Sequence, residues 1–249
     1  MERAGIFFFA LQGVVVAASV DLLLVTADDV TLRPVLQGIT GMKEETQGAW
    51  RFWRGRLCGK DVVATCSEGD PLNAVAATTL AVRRHSPRLI VVFGPARAHD
   101  VRLKEGDVVV SERFVAFDGM VSRPAGLGEG SDSLRWKVLP HLLATPGEKE
   151  TPTTFFPADR AAREVALKLN LPGVRVLPGV LGSAHQVNRE ADRVAWIREQ
   201  WQTSTEDDDS AHVAGVALLL GIPVVGLRIV EGTSAQSADL ALRFVEVWK

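Results

Sequence analysis

Cysteine is scarce in this sequence: Cys58 and Cys66 are the two cysteines among 249 residues. So few cysteines exclude a disulfide-rich scaffold, and their spacing matches no common metal-binding motif. We predict two reduced thiols, with one bridge between them as the alternative. No metal and no cofactor are predicted. Although Asp209 and His212 would share a helical face, a third ligand is not evident, and His99 and His212 are expected to be ordinary surface or core residues.

An excess of positive charge is also missing. The chain has 28 Lys and Arg against 30 Asp and Glu, a formal net charge of −2, and no sustained basic stripe. A nucleic-acid partner is therefore disfavoured. The densest basic cluster, "WRFWRGR" at 50–56, alternates arginines with aromatic residues. This alternation fits either a stacking platform or an exposed strand, and we favour the strand.

No apolar run is long enough to cross a bilayer, which takes about 20 residues. The run at 6–18 follows Arg3 and ends in small residues, as a secretory signal does. We predict a cytoplasmic protein with an apolar N-terminal extension, residues 1–19, and one domain, residues 20–249. The extension is expected to form a buried element or to dock a partner. Secretion through a signal peptide and membrane contact through this run are the minor alternatives.

Apolar runs alternate with helical patterns over most of the chain. "VDLLLVT" at 20–26 and "RLIVVFG" at 88–94 are typical of strands buried on both faces, and helices are predicted at 71–84 and 210–220. The order predicts a single-domain, three-layer α/β/α sandwich with a mixed central sheet. The segment 119–158, rich in Gly, Pro and Ser, is a candidate lid.

The stretch "STEDDDSAHVAG" at 203–214 places four carboxylates before an apolar helix. Acidic residues cap helix N-termini, because unpaired N–H groups and the helix dipole favour negative charge there. The alternative is that one of these carboxylates binds a ligand, because ligands collect at the carboxyl ends of strands in sheets of this kind.

Four stretches resemble motifs of the nucleoside phosphorylase superfamily, in the family's order: "VDLLLVTADDVTLRPVL", "SEGDPLNAVAATTLAV", "GPARAHDVRLKEGDVVVS" and "TEDDDSAHVAGVALLLGIPVVGLRIVEG". The similarity extends from residue 20 to about 240 and is nearest the 5′-methylthioadenosine/S-adenosylhomocysteine nucleosidase branch. In that family a Glu opening the helix binds the ribose hydroxyls, and its match is Asp209, with Asp208 where Met is usual. A second Glu orders the attacking water, and its match is Asp29.

The resemblance implies a degenerate active site. Gly232 stands where the family has the Asp that helps to protonate the leaving purine. Glu231 is the nearest substitute, and we expect the flexible Gly232 to turn it into the pocket. On this view Gly232→Asp would restore ordinary adenine-nucleosidase activity.

The base site also departs from the family pattern. Arg97 replaces a small Gly after Ala96, Ser183 stands where Asp is common, and His185 occupies an aromatic position. Val92 stands where phosphorylases carry a phosphate-binding Arg, which favours water over phosphate as the nucleophile.

The resemblance therefore implies an N-glycosyl hydrolase acting on a purine-nucleoside-type substrate, with Asp29 and Glu231 catalytic. The alternative is an altered family member that binds a nucleoside-like or apolar small molecule as a sensor, or that runs different chemistry. A homodimer is expected from the family and from the apolar N-terminus and six tryptophans.

Overall fold

A computed structural model describes residues 19–249. The predicted extension, residues 1–19, thus lies outside the described residues except for Ser19, whose Oγ donates to the Ser86 carbonyl at 3.0 Å. The strands are β1 Val20–Thr26, β2 Thr40–Gln47, β3 Trp50–Leu57, β4 Lys60–Cys66, β5 Pro87–Ala98, β6 Val108–Ala116, β7 Met120–Val121, β8 Lys137–Val138, β9 His141–Leu143, β10 Thr151–Thr153, β11 Phe156–Pro157, β12 Val176–Ser183, β13 Thr203–Asp207 and β14 Val224–Val230. The helices are α1 Asp29–Gly38, α2 Pro71–His85, α3 Arg160–Ala166, α4 Ala191–Trp201, α5 Ser210–Leu220 and α6 Ser234–Val247.

The central sheet is mixed, as the apolar runs predict. β1 lies between β4 and β5 in parallel, and the antiparallel hairpin β2–β3 extends the sheet beyond β4. β14 pairs with both β5 and β6, while β13 pairs with both β12 and β5. Since β12 also pairs with β6, these five strands close into a ring of pairings.

Helices cover both faces of the sheet. On one face α1, α3 and α6 pack together over an apolar layer that includes Leu22, Leu24 and Phe244. On the other, α2 packs on α5 over a second layer that includes Leu23 and Val92. The alternating residues of one strand therefore bury into two different layers, which confirms the predicted α/β sandwich.

β2 and β13 are among the strands that the sequence did not predict. β2 is almost entirely exposed and reads "TGMKEETQ", so it lacks the apolar alternation that marks a strand. β2 is an edge strand that pairs with β3 on one side and, among residues 19–249, has no strand on the other. Its charged side chains suit an exposed edge. β13 holds Glu206 and Asp207, so half of the acidic run belongs to the sheet and lies inside the protein.

The segment 119–158 contains two small two-stranded sheets, β7–β8 and β9–β10. It joins the main sheet through β11, which pairs with β6. The expected lid therefore lies beside β6 and α5, and none of its residues lines the cavity described below.

Candidate active site

A cavity of about 270 Å³ opens where β1, β5, β13 and β14 end. Its walls are Ala27, Pro95, Ala96, Arg97, Glu206, Asp207, Asp208, Asp209, Arg228, Glu231 and Gly232. Five of the eight site residues proposed from the sequence thus share one cavity: Ala96, Arg97, Asp208, Asp209 and Glu231. The carboxyl ends of the strands meet there, as expected for a mixed α/β sheet.

Asp209 lies at the buried end of this cavity. One carboxylate oxygen accepts a hydrogen bond from Ser67 Oγ at 2.9 Å, and the other pairs with Arg228 Nη2. Asp209 precedes α5 but makes no side-chain capping bond to it. Burial raises the pKa of Asp209 above its usual range, because the charged form is deprived of water. Helix capping therefore does not explain this acid.

Arg228 forms ion pairs with Asp207 and Asp209 inside the protein. Its side chain is 1% exposed, and its Nε donates to Ser210 Oγ at 2.8 Å while lying 3.1 Å from Asp207. Gly94 makes room for it, because a Cβ there would stand 2.4 Å from Arg228 Nη1. One guanidinium thus compensates two buried carboxylates, Asp207 and Asp209.

Asp207 performs the capping that the sequence suggested for the acidic run. Its carboxylate accepts from the Ser210 backbone N–H at 2.8 Å and from Ser183 Oγ at 2.7 Å. Ser183 Oγ in turn accepts from the Ala211 N–H at 2.8 Å. Ser183 is completely buried and does not line the cavity, so its hydroxyl fixes Asp207 and the start of α5.

Glu206 pairs with Arg97 at the cavity wall. Its Oε1 accepts from Arg97 Nη2 at 3.0 Å, and its Oε2 lies 3.0 Å from His99 Nε2. Burial raises the pKa of Glu206, but hydrogen bonds from His99 and Asn188 outweigh it and lower that pKa to about 2. Glu206 is therefore charged at neutral pH although it is buried.

Glu231 lines the cavity from the end of β14, and it is exposed. The expectation that Gly232 supplies the turn is wrong: Glu231 itself has a left-handed φ of 47°. Its N–H donates to the Ala96 carbonyl at 2.9 Å, which ties this strained residue to β5.

Gly232 is packed too tightly to accept a side chain as the backbone stands. A Cβ there would lie 2.4 Å from Ile229 Cγ2 and 2.6 Å from Ile229 Cβ. Restoring an acid by Gly232→Asp thus requires the backbone to move, which the sequence did not reveal.

Asp29 stands at the same edge of the sheet, outside the cavity lining. Its side chain is 47% exposed and pairs with Arg51 at 3.1 Å. A carboxylate oxygen of Asp29 lies within 4.8 Å of donor atoms of Cys66 and Glu68, the one such three-residue group among residues 19–249. Burial raises the pKa of the Cys66 thiol to about 12. Ser67, next to Cys66, donates to Asp209, so residues 66–68 lie beside both proposed carboxylates.

Asp208 and His185 are the last two proposed site residues, and the structure places them differently. Asp208 is half-buried at the cavity wall, and burial, reinforced by Asp207, raises its pKa. His185 is 75% exposed, does not line the cavity, and lies 3.7 Å from Asp70 at the N-cap of α2.

Sequence reasoning did not single out Ser67 and Arg228 as partners of Asp209, nor Glu206 as the partner of Arg97. Each pair is more than 100 residues apart, except Arg228 and Asp209, which are 19 apart. An Arg inside the otherwise apolar run "VVGLRIV" was the available signal, because a buried Arg needs a carboxylate.

The comparison with protein families decides the assignment. The model of the phosphorylase superfamily matches residues 21–247. This chain belongs to the phosphorylase superfamily. Its relatives include a 5′-methylthioadenosine/S-adenosylhomocysteine nucleosidase of Marinomonas sp. (strain MWYL1), 28% identical over 206 residues that cover 82% of each chain. The expected branch of the family is thereby confirmed.

Solved structures of this superfamily share the fold. A 5′-methylthioadenosine/S-adenosylhomocysteine nucleosidase from Neisseria meningitidis, in complex with methylthio-immucillin-A, superposes with a TM-score of 0.75 at 19% identity, covering 92% of this chain and 99% of that one. A futalosine hydrolase mutant of Helicobacter pylori strain 26695 gives 0.73 at 18% identity, covering 91% and 98%. Among residues 19–249, no helix is both long enough and apolar enough to span a membrane.

Proposed function

We propose that this protein hydrolyses the N-glycosidic bond of a purine-nucleoside-type substrate, with water as the nucleophile. The observation that carries the proposal is the cavity that joins Asp209 to Arg97 and Glu231. Relatives of the protein are named as nucleosidases for 5′-methylthioadenosine and S-adenosylhomocysteine, which supports a nucleoside ligand.

Asp209 is the proposed ribose ligand. A carboxylate accepts two hydrogen bonds from a vicinal diol, and its position is held by Arg228 and Ser67. Asp208 and Ala96 complete the nearby wall. Ser183 and His185, though absent from that wall, are retained as proposed contributors to binding: Ser183 through Asp207, and His185 from the exposed rim beside Asp70.

Asp29 is proposed to orient the attacking water and to take its proton. Because the bond breaks through an oxocarbenium-like state, a carboxylate that aims water serves this reaction. Since Asp29 pairs with Arg51 in the free protein, the pair would open when substrate is bound. Glu231 is the proposed proton donor to the base, in place of the acid missing at Gly232.

Water is favoured over phosphate because Val92 is fully buried inside β5 and the phosphorylase Arg is missing there. We retain the expectations of a homodimer and a cytoplasmic location as proposals. Exposed apolar side chains such as Val30 and Leu72 could be buried in a dimer interface. Trp53 and Trp201 are already buried within the protein and could not contribute.

Specific observations also favour the second candidate, a binding protein that no longer hydrolyses its ligand. Gly232 supplies no acid, and Asp29 lies outside the cavity lining. Such a protein would bind a nucleoside-like molecule through Asp209 and release no base.

Chromatography of purine nucleosides incubated with the protein separates the two candidates. The hydrolase proposal expects free base to accumulate catalytically, equally with and without inorganic phosphate. Binding of the nucleosides without base release, abolished in Asp209→Ala, would establish the second candidate instead. A strict requirement for phosphate would contradict the choice of water.

A further inference from the structure

Arg97 presents an unused hydrogen-bonding edge to the cavity. Its Nε and Nη2 both donate to Glu206 Oε1, at 3.3 and 3.0 Å. No acceptor in residues 19–249 takes a hydrogen bond from Nη1. The side chain is 41% exposed and lines the cavity. The Nη1–Nη2 edge is therefore available for two parallel hydrogen bonds.

This guanidinium is held in place rather than free to swing. Arg97 and Glu206 face each other on the antiparallel strands β5 and β13. Glu206 is 1% exposed, and its carboxylate also accepts from the Asn188 backbone N–H at 3.2 Å and meets His99 at 3.0 Å. Glu206, a buried anion with three partners, therefore orients the Arg97 guanidinium at the cavity wall.

A guanidinium donates hydrogen bonds and accepts none, so it discriminates between purines. A 6-oxopurine offers two adjacent acceptors, O6 and N7, whereas adenine replaces O6 by a donating amino group. Arginine forms a bidentate pair with the first arrangement and meets a donor in the second.

We propose that Arg97 is a specificity-determining residue and that the substrate is a nucleoside of a 6-oxopurine rather than of adenine. This inference rests on the proposed function. It would distinguish the chain from the relatives whose names specify adenine nucleosides.

The same contact compensates for the acid missing at Gly232. In the proposed reaction the water oxygen bonds to C1′, and the water proton passes to Asp29. The C1′–N9 bond breaks, and its electron pair leaves with the purine as an anion spread over the ring and O6. Arg97 stabilises this anion without giving up its own proton, and Glu231 or solvent then protonates the released base.

The test compares matched substrates: inosine with adenosine, and 5′-methylthioinosine with 5′-methylthioadenosine. We expect wild type to favour the 6-oxo member of the productive pair in kcat/KM by at least about 10-fold. Arg97→Lys keeps the positive charge but loses the two parallel N–H donors of the guanidinium. It should therefore reduce this preference about 10- to 100-fold. Arg160→Lys, which alters a surface pair with Glu164 on α3, is the matched control and should leave the preference unchanged.

Calorimetric binding of free hypoxanthine and adenine gives a readout that does not depend on turnover. Tighter binding of hypoxanthine to wild type, lost in Arg97→Lys, supports the inference. Adenine release with no 6-oxo preference overturns the inference and leaves the proposed hydrolase standing. A preference unchanged in folded Arg97→Lys also overturns it. Absence of base release from all four substrates overturns the proposed hydrolase, and equal binding of the two free bases overturns the inference.

Discussion

Asp29, the proposed catalytic carboxylate, and Asp209, the proposed ribose ligand, both lie beside residues 66–68 but in opposite environments. Asp209 is completely buried and is held by Arg228 and Ser67. Asp29 is half-exposed and makes one surface ion pair, with Arg51. The difference suggests that the ribose side of the site is built into the fold, whereas the water side is free to rearrange when substrate binds.

The largest effect is expected for turnover in Asp29→Asn. If Asp29 takes the proton of the attacking water, kcat should fall about 10²- to 10⁴-fold. The free energy of unfolding should change by less than about 1 kcal/mol, because the lost ion pair is exposed. Steady-state kinetics and urea denaturation measure the two effects.

Asp28→Asn is the matched control for that experiment. Asp28 caps α1 by accepting from the Thr31 N–H at 2.7 Å, and an Asn oxygen preserves this bond. This variant should retain both activity and stability. Equal losses of activity in the two variants would contradict a specific role for Asp29.

Arg228→Met should strongly destabilise the fold. The change leaves Asp207 and Asp209 as buried, uncompensated carboxylates, which costs about 3–5 kcal/mol of unfolding free energy. Chemical denaturation measures it, and Arg160→Met, which removes a surface pair, should be close to neutral. Near-equal stabilities of the two variants would show that Arg228 does not hold the cluster.

Acid stability should depend on Glu206. Its folded pKa of about 2 lies below the ordinary glutamate value of 4.5, so its ionisation contributes stability above pH 4.5. That contribution, roughly 3 kcal/mol, is lost as the pH falls from about 4.5 to about 2. Glu206→Gln should be less stable at pH 7 and lose less across this window.

Denaturation curves at several pH values test this prediction. Glu199→Gln removes an exposed carboxylate on α4 and should keep the wild-type pH dependence. If Glu206→Gln also loses as much stability as wild type between these pH values, another group controls the acid transition.

The smallest effect is expected at Gly232. Gly232→Ala should cost about 1–3 kcal/mol of unfolding free energy, because its Cβ meets Ile229 at 2.4 Å. Gly232→Asp should be no more stable and should not gain adenine-nucleosidase activity. Gly126→Ala, whose Cβ would meet only the flexible Glu129 side chain at 3.3 Å, is the control. A stable and active Gly232→Asp would show that this turn rearranges freely.

The sequence predicts the interior of this fold better than its edges. β1 and β5 have continuous apolar runs and match their predicted positions, whereas β2 is exposed and charged and has no such signature. The order of the family motifs led us to assign Asp209 and Arg97 to one site, and both residues line the same cavity. The buried Glu206 carboxylate is hydrogen-bonded by His99 and Asn188, which lie in the loops after β5 and β12. Pairings of this kind depend on tertiary structure and leave no local pattern in the sequence.

The most direct test of hydrolysis is to run the reaction in ¹⁸O-labelled water and to analyse the sugar product promptly by mass spectrometry, with an exchange control on unlabelled sugar. We expect one ¹⁸O atom on C1′ of the released sugar, free base in equal amount, and no sugar phosphate when phosphate is present. Unlabelled sugar, a sugar phosphate or no cleavage of any purine nucleoside would contradict the proposed hydrolysis.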